Sequence, residues 1–466
     1  MYLRSLTASQ MKRIEHLRLD FLEDDGSPRM WTVLIGENGT AKTTVLQAIA
    51  MAAAGRLRVN ELAGSAIPSL LPRRKLDPAL EIRATFTFSD VGRTARLHPM
   101  MASDLPVGTE LVSRVNLDAA ETTLTGFDWY RKPGETAADR QPTPELTPLD
   151  RARAKNTAHW FVAGYGVNRH FPYETGGSPD LLRASVERLR PLFDHLAALT
   201  GIGFIDIFGA KTKRGKNFVT ALNRVLVNTG LLPADVEEIA LKGRAARKPA
   251  DLPYRNTFVQ KLGARSLRVP LSGVAHGMHS TLAWVSDLVG QILHEAEDNV
   301  LAEDMEGCVL IDEIDLYLHP TWQVSIVHAL RKTFPRVQFI VTTHSPAMLA
   351  ACRPNEIVRL AVDETIGRVD RVAPHPTTGH WVSVRNAGGD PRLQPDPRML
   401  SGSELYQLYF GLDGVTPRPE GEKVRRYQLL AGDPSRRDDE DAEVASLRAE
   451  LDAEGFALPD PVARAP

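Results

Sequence analysis

Short unbroken apolar runs in this chain predict strands buried on both faces. They are Val33-Leu34-Ile35, Trp160-Phe161-Val162-Ala163, Cys308-Val309-Leu310-Ile311, and Phe339-Ile340-Val341 within the stretch Val337 to Pro346. A second rhythm, strict alternation, runs through Leu17-Arg18-Leu19-Asp20-Phe21 and through Leu80, Ile82, Ala84, Phe86 and Phe88. It predicts half-buried strands. With Val112 to Leu117 and Phe127 to Tyr130, these suggest an antiparallel sheet beside the sheet that holds Val33–Ile35. A third rhythm has the helical spacing. Thr43 to Met51 reads as a helix with Gly55 just past its end as a C-cap. Leu182, Val186, Leu189, Leu192 and Phe193 form one stripe over Leu181 to Leu199, and Val219 to Leu226 reads as a further helix. A long amphipathic helix follows Thr281, with Leu282, Val285, Val289, Ile292 and Leu293 on one side. Pro320 opens a helix from Thr321 to Phe334. Asp24 to Pro28 is a turn. Pro68 to Pro78, which carries Arg73, Arg74 and Lys75, and Pro133 to Asp150 read as surface loops. There is no internal repeat, and no heptad run long enough for a coiled-coil arm.

At 466 residues the chain is too long for one small core and calls for several domains or a large two-lobed one. Hydrophobic residues at 43% and charged residues at 24% are ordinary for a soluble globular protein. A net charge of −2 supplies no global basic field, so any DNA or RNA contact must come from local patches. Two exist, Lys211 to Lys216 and Lys242 to Lys248, read either as solvated surface or as nucleic-acid contact. The two cysteines, Cys308 and Cys352, lack metal-ligand spacing and fit a reducing cytosol. No apolar stretch is long enough to span a bilayer, and Met1 to Asp20 has no apolar signal core, so a cytoplasmic protein without membrane contact is expected.

The chemistry gathers at Gly36-Glu37-Asn38-Gly39-Thr40-Ala41-Lys42-Thr43-Thr44, a glycine-rich turn between a buried strand and a helix. This is the context of a phosphate-binding loop: backbone N–H groups wrap a triphosphate at the positive helix end. Lys42 reaches the β- and γ-phosphates, and the Thr43 hydroxyl sits on Mg²⁺. The usual pattern has glycine where Ala41 stands, so the loop is expected to be slightly looser or Ala41 to take an ordinary helical conformation. Downstream, the apolar strand ending in Asp312-Glu313 aims Asp312 at the Mg²⁺ shell beside Thr43. Glu313 then points to where an attacking water would sit, as a general base. His344 ends another buried strand, where it either senses the γ-phosphate, steadies the water or is structural. His319 reads as a packing or loop residue. Arg169 follows a strand and a glycine turn; it reads as a surface arginine, with nucleotide contact as the alternative. Ser272 and Gly277 belong to a Ser/Gly segment at the start of the long helix, an anion site that would cap the nucleotide of a second protomer.

Taken together, Gly36 to Thr43, Ile311-Asp312-Glu313, Leu318-His319-Pro320 and Thr342-Thr343-His344-Ser345-Pro346 resemble the ABC-type, RecF/SMC-like ATPase heads, and they stand in the family order. The resemblance implies an α/β, two-lobed head built on a mixed sheet, with an inserted helical segment and a C-terminal helical appendage. It implies Mg²⁺-ATP bound between two heads in a homodimer or higher oligomer, with Asp312 as the Walker B residue, Glu313 as the catalytic glutamate and His344 as the switch histidine. The family favours Ser-x-Gly before the long helix; aligned on Gly277, this chain has Ala275 there, with Ser272-Gly273 as a shifted alternative. The expected divisions are an N-lobe over 1–180, the helical insertion over 181–264, a C-lobe over 265–375 and the appendage over 376–466. Ser403 to Asp413, followed by the charged helix Asp438 to Gly455, is similar to the compact ATPases of Septu-type and retron-associated anti-phage systems. Those work beside an HNH nuclease, so the resemblance implies slow ATP hydrolysis that controls a partner nuclease. The chain after Val372 reads as loop then helix, which argues against an intrinsic Toprim nuclease. A RecF-like repair ATPase that binds DNA as an ATP-dependent dimer is the alternative reading. A transporter subunit and a degenerate ATP-binding structural protein are further, less favoured ones.

Overall fold

The structure is a computed structural model. It describes the chain apart from residues 57, 71–79, 88–107, 118–122, 136–148, 150–160, 170–183, 233–234, 244–254, 274–275, 296–304, 364–366, 412–418, 457 and 464–466. The expected loops at Pro68 to Pro78 and Pro133 to Asp150 lie largely outside the described residues. Contacts divide the chain into two units, Met1–Leu400 and Ser401–Pro466.

In the first unit, β1 (Tyr2–Met11), β2 (Ile14–Asp20), β4 (Glu81–Thr87), β5 (Glu110–Leu117) and β6 (Leu124–Arg131) form an antiparallel sheet in the order β2-β1-β4-β5-β6. The alternating runs supply β2 and β4, and Val112 to Leu117 and Phe127 to Tyr130 supply β5 and β6; β1 was not expected from the sequence. A seven-stranded sheet contains β3 (Trp31–Ile35), β7 (Val162–Tyr165), β11 (Gly307–Ile311), β12 (Val337–Thr342), β13 (Ile357–Asp363), β14 (Arg368–Pro374) and β15 (Trp381–Ser383). Its order is β15-β14-β13-β3-β12-β11-β7, parallel from β13 to β7 with β14 and β15 as an antiparallel edge. Every residue of β3, β11 and β12 is buried, as continuous apolar runs require.

The helix Lys42–Ala54 follows β3 and contributes to one core with residues of both sheets. Its buried residues include Val45, Leu46, Ile49 and Met51 and a run of alanines. A helix apolar on all sides belongs between two layers, and alanine lets those layers approach. The sheets are also fastened by Gln338 on β12, whose amide donates to the carbonyls of Leu3 (2.9 Å) and Arg29 (3.0 Å) and accepts from the Leu3 N–H (2.6 Å). These bonds satisfy a fully buried polar side chain.

Three expectations change. Leu181–Leu199 is not one helix: its described part has a turn at Ala184–Glu187 and a 3₁₀ turn at Arg190–Leu192. Pro191 cannot continue an α-helix, and the apolar stripe instead packs on β7, where a Cβ at Gly164 would strike Leu192 at 2.3 Å. The insertion over 181–264 is not wholly helical either. Phe204–Phe208 and Lys213–Leu222 are helices, but β8 (Val236–Leu241), β9 (Asn256–Leu262) and β10 (Arg265–Pro270) form a three-stranded antiparallel sheet. Finally, the long helix His276–Glu295 is buried on all sides from Ser280 to Leu293 rather than on one face.

The second unit begins at Ser401, not at 376, because β15 and the turns after it belong to the first unit. It holds the helices Gly402–Phe410, Pro419–Ala431 and Asp438–Ala453. Tyr427, Leu430, Ala431, Val444 and Leu451 form its own small core. Arg426–Glu443 (2.8 Å) and Lys423–Glu450 tie its last two helices together. No helix among the described residues is long and apolar enough to cross a membrane.

Candidate functional site

The site begins where β3 ends. Gly36 has φ 148°, and a Cβ there would lie 2.2 Å from the Leu360 carbonyl oxygen on β13, so no side chain fits. Thr40 Oγ1 donates to the Glu37 carbonyl (2.8 Å) and closes the turn. Gly39 has φ 83° and Ala41 φ 64°. Ala41 therefore takes the left-handed conformation that glycine ordinarily supplies, not the ordinary helical one expected from sequence. Left-handed residues in such a loop turn successive N–H groups inward and make an anion-binding concavity. The Lys42 ammonium donates to the carbonyls of Gly36 (2.8 Å) and Glu37 (2.9 Å). Burial lowers its pKa, and the carboxylates of Asp312, Glu313, Asp315 and Glu37 oppose that shift.

Because β11 lies between β7 and β12, the carboxyl end of β11 comes up beside the loop. The Asp312 N–H donates to the Tyr165 carbonyl at 2.8 Å, which extends the strand pairing by one residue. Asp312 then accepts from Thr43 Oγ1 on one oxygen (2.7 Å) and from Thr342 Oγ1 on the other (2.6 Å). The same Thr342 hydroxyl accepts from the Glu313 N–H at 2.7 Å, so one side chain at the end of β12 orients both acidic residues. Next along, Thr343 Oγ1 donates to Asp315 (2.6 Å) and accepts from the Ser345 N–H (3.0 Å), framing His344. Burial, then the charge on Lys42, lowers the His344 pKa, leaving the ring neutral at pH 7.

Asn38, Gly39, Ala41, Lys42, Thr43, Thr44, Asp312, Glu313 and His344 line one cavity of about 450 Å³, together with Lys12 and Arg13. Gly36 and Thr40 shape the loop behind it. Lys12 and Arg13 form the two-residue tip of the β1–β2 hairpin, with Lys12 at φ 51°. Sequence reasoning passed over them, although a basic pair between two strand-like runs signals a charged hairpin tip. Three cations thus face two carboxylates and a neutral histidine. The oxygens of Thr43 and Asp312, 2.7 Å apart, suit a hard divalent cation that keeps most of its waters and takes its other ligands from a phosphate chain.

Other candidates fall elsewhere. Arg169 is not a surface residue: it is 2% exposed, and its guanidinium donates to the carbonyls of Asp312 (2.7 Å) and Glu313 (2.5 Å). Burial lowers its pKa to about 10. Ser272 sits in the turn Leu271–Gly273, and Gly277 near the start of the long helix, where a Cβ would lie 2.2 Å from the Tyr317 carbonyl. His319 caps the helix Pro320–Thr333. Lys211, Lys213 and Lys216 are exposed around the start of the helix Lys213–Leu222, and Lys242 is exposed too; Arg244, Arg247 and Lys248 lie outside the described residues.

The fold and the site together resemble an ABC/SMC-like ATPase head. Residues 281–350 match the family model described as "AAA domain, putative AbiEii toxin, Type IV TA system". Over 450 residues the chain is 22% identical to the Septu protein PtuA of Bacillus mycoides (strain KBAB4), covering 97% of this chain and 50% of that protein. It is 39% identical over 107 residues to the "Retron Vc95 probable ATPase" of Vibrio cholerae serotype O1 biovar El Tor, covering 22% of this chain and 20% of that one. Among solved structures, it is similar to an SMC head bound to the C-terminal winged-helix domain of ScpA, with a TM-score of 0.43, 16% identity and coverage of 83% and 99%. The resemblance to Septu- and retron-type ATPases read from the motifs therefore holds, and the chain spans half the length of that Septu relative.

Proposed function

We propose that the chain binds Mg²⁺-ATP in this cavity, hydrolyses it slowly through Glu313, and acts within a bacterial anti-phage defence system by controlling a partner nuclease of the HNH type. The observation that carries the reading is the convergence of Lys42, Thr43, Asp312, Glu313 and His344, from three adjacent parallel strands, on one cavity. Lys42, with Lys12 and Arg13 nearby, neutralises the phosphate chain. Thr43 and Asp312 would hold Mg²⁺, which would offset charge on the β- and γ-phosphates. Glu313 orients the attacking water and accepts its proton as the bond from that oxygen to the γ-phosphorus forms and the bond to the β–γ bridging oxygen breaks, releasing ADP, while His344 donates a hydrogen bond at the same end of the cavity. A second head closing on the site through its Ser272–Gly277 segment would complete it, so nucleotide state would govern head association and, through it, the partner. The helical unit Ser401–Pro466 is the candidate surface for that partner or for another protomer.

The test is a co-purification from the native host with tagged Glu313→Gln protein and Mg²⁺-ATP. A nuclease recovered in fixed ratio is the expected result. Recovery of a DNA-bound homodimer alone would overturn the defence reading in favour of a RecF-like one, with the exposed lysines 211, 213, 216 and 242 as its DNA surface.

A further inference from the structure

In an extended strand, successive carbonyls point to opposite sides. At the end of β11 they do not: the carbonyls of Asp312 and Glu313 both accept from the same terminal nitrogen of Arg169, at 2.7 and 2.5 Å. The chain must leave the strand conformation between them, and it does so at Glu313, whose φ is 46°. Glutamate rarely adopts this left-handed region, so something outside the residue must hold it there. The Glu313 N–H is held from the β12 side by Thr342. Its carbonyl is held from the β7 side by Arg169, four residues past the strand that pairs with β11. Arg169 is buried, and its charge lies close enough to Asp312, Asp315 and Glu313 for all three to oppose the cost of burying it.

We infer that Arg169 is a positioning residue: its guanidinium clamps the Asp312–Glu313 peptide in a left-handed turn and so fixes the direction in which Glu313 presents its carboxylate to the cavity. The inference rests on the reading of Glu313 as the general base. Arg169 touches neither nucleotide nor water in this role; it acts through the backbone of the residue that does.

Two measurements test it. In steady-state ATP hydrolysis, Arg169→Met is expected to lower kcat on the order of 10²-fold, the loss typical of a misplaced reacting group. The Kd for Mg²⁺-ATP, measured calorimetrically, should change by no more than about threefold, since the phosphate-binding side chains are untouched. Arg169→Lys, which keeps a cation and two donors, should recover part of the rate, and Arg169→Met should add no further loss to Glu313→Gln. An unchanged kcat, or a parallel loss of binding and rate, would overturn the inference. The second measurement reads the clamp without catalysis. Glycine adopts φ 46° without strain, so Glu313→Gly should recover a large part of the thermal stability that Arg169→Lys loses. No recovery would count against the clamp even where Arg169→Met fails to fold. If Glu313→Gln itself hydrolyses ATP normally, the general-base reading fails, and the stability pair still decides whether Arg169 holds the turn.

Discussion

Ala41, Glu313 and Tyr317 hold positive φ (64°, 46° and 67°) although none is glycine, and Ala41 and Glu313 line the cavity. A left-handed non-glycine residue costs about 1–2 kcal/mol, and such residues persist where their surroundings over-determine them. At Ala41 the neighbours are Lys42, bonded back to Gly36 and Glu37, and a core against which the alanine methyl packs. Ala41→Gly relieves the strain but adds freedom to the unfolded chain worth about 0.5–1 kcal/mol. The variant is therefore expected to gain up to about 1 kcal/mol in chemical denaturation. A clear loss would show that methyl packing outweighs the backbone strain. At this scale the sequence was legible wherever one residue type has one use: glycine and lysine in the turn, paired carboxylates after an apolar run. Lys12, Arg13 and Arg169 were not legible as site residues, because an arginine reads alike on a surface and under an acidic turn. Only the pairing of β7 with β11 and the two-residue β1–β2 hairpin bring them in.

Between elements, the long helix His276–Glu295 is joined to the acidic end of the site through Asp287. Its carboxylate accepts from the Thr200 and Gly201 N–H groups (2.9 and 3.1 Å) and from the Tyr165 hydroxyl (3.2 Å), and the Tyr165 carbonyl in turn accepts from Asp312. Burial outweighs these bonds and raises the Asp287 pKa from 3.8 to about 6. Between those values the folded chain holds a proton that the unfolded chain has released. Stability from this group is thus full below the unfolded pKa and declines as pH rises through the window. Comparing unfolding temperatures of the wild type and Asp287→Asn from pH 4 to pH 7 should show the variant gaining on the wild type up to about pH 6 and holding level above it. Parallel profiles would show that folding leaves the Asp287 pKa unshifted. Elements with a continuous apolar run or clean alternation were legible in sequence. Those missed have physical reasons: Pro191 interrupts a periodic stripe, and β10 is short and largely exposed, with only Leu267 and Val269 to mark its alternation.

For the larger unit, the deciding feature is strand order. With β3, β12 and β11 side by side and parallel, the turn after Ile35, the residues after Thr342 and the pair after Ile311 rise at one edge. Ligands bind at that carboxyl edge in open α/β sheets. No motif in the sequence dictates this order; the motifs, as a set, implied only a head built on a mixed sheet. The split at Ser401 was not legible, because the turns after β15 carry the same Pro, Asp and Arg residues as a linker.

The most direct measurement is equilibrium binding of Mg²⁺-ATP by titration calorimetry to the full chain and to Lys42→Met, with circular dichroism confirming that both are folded. Saturable binding by the wild type, lost on replacing the ammonium that bonds Gly36 and Glu37, is the expected result. A folded wild type that does not bind, or a Lys42→Met variant that binds as well, would contradict the assignment of the cavity to a nucleotide.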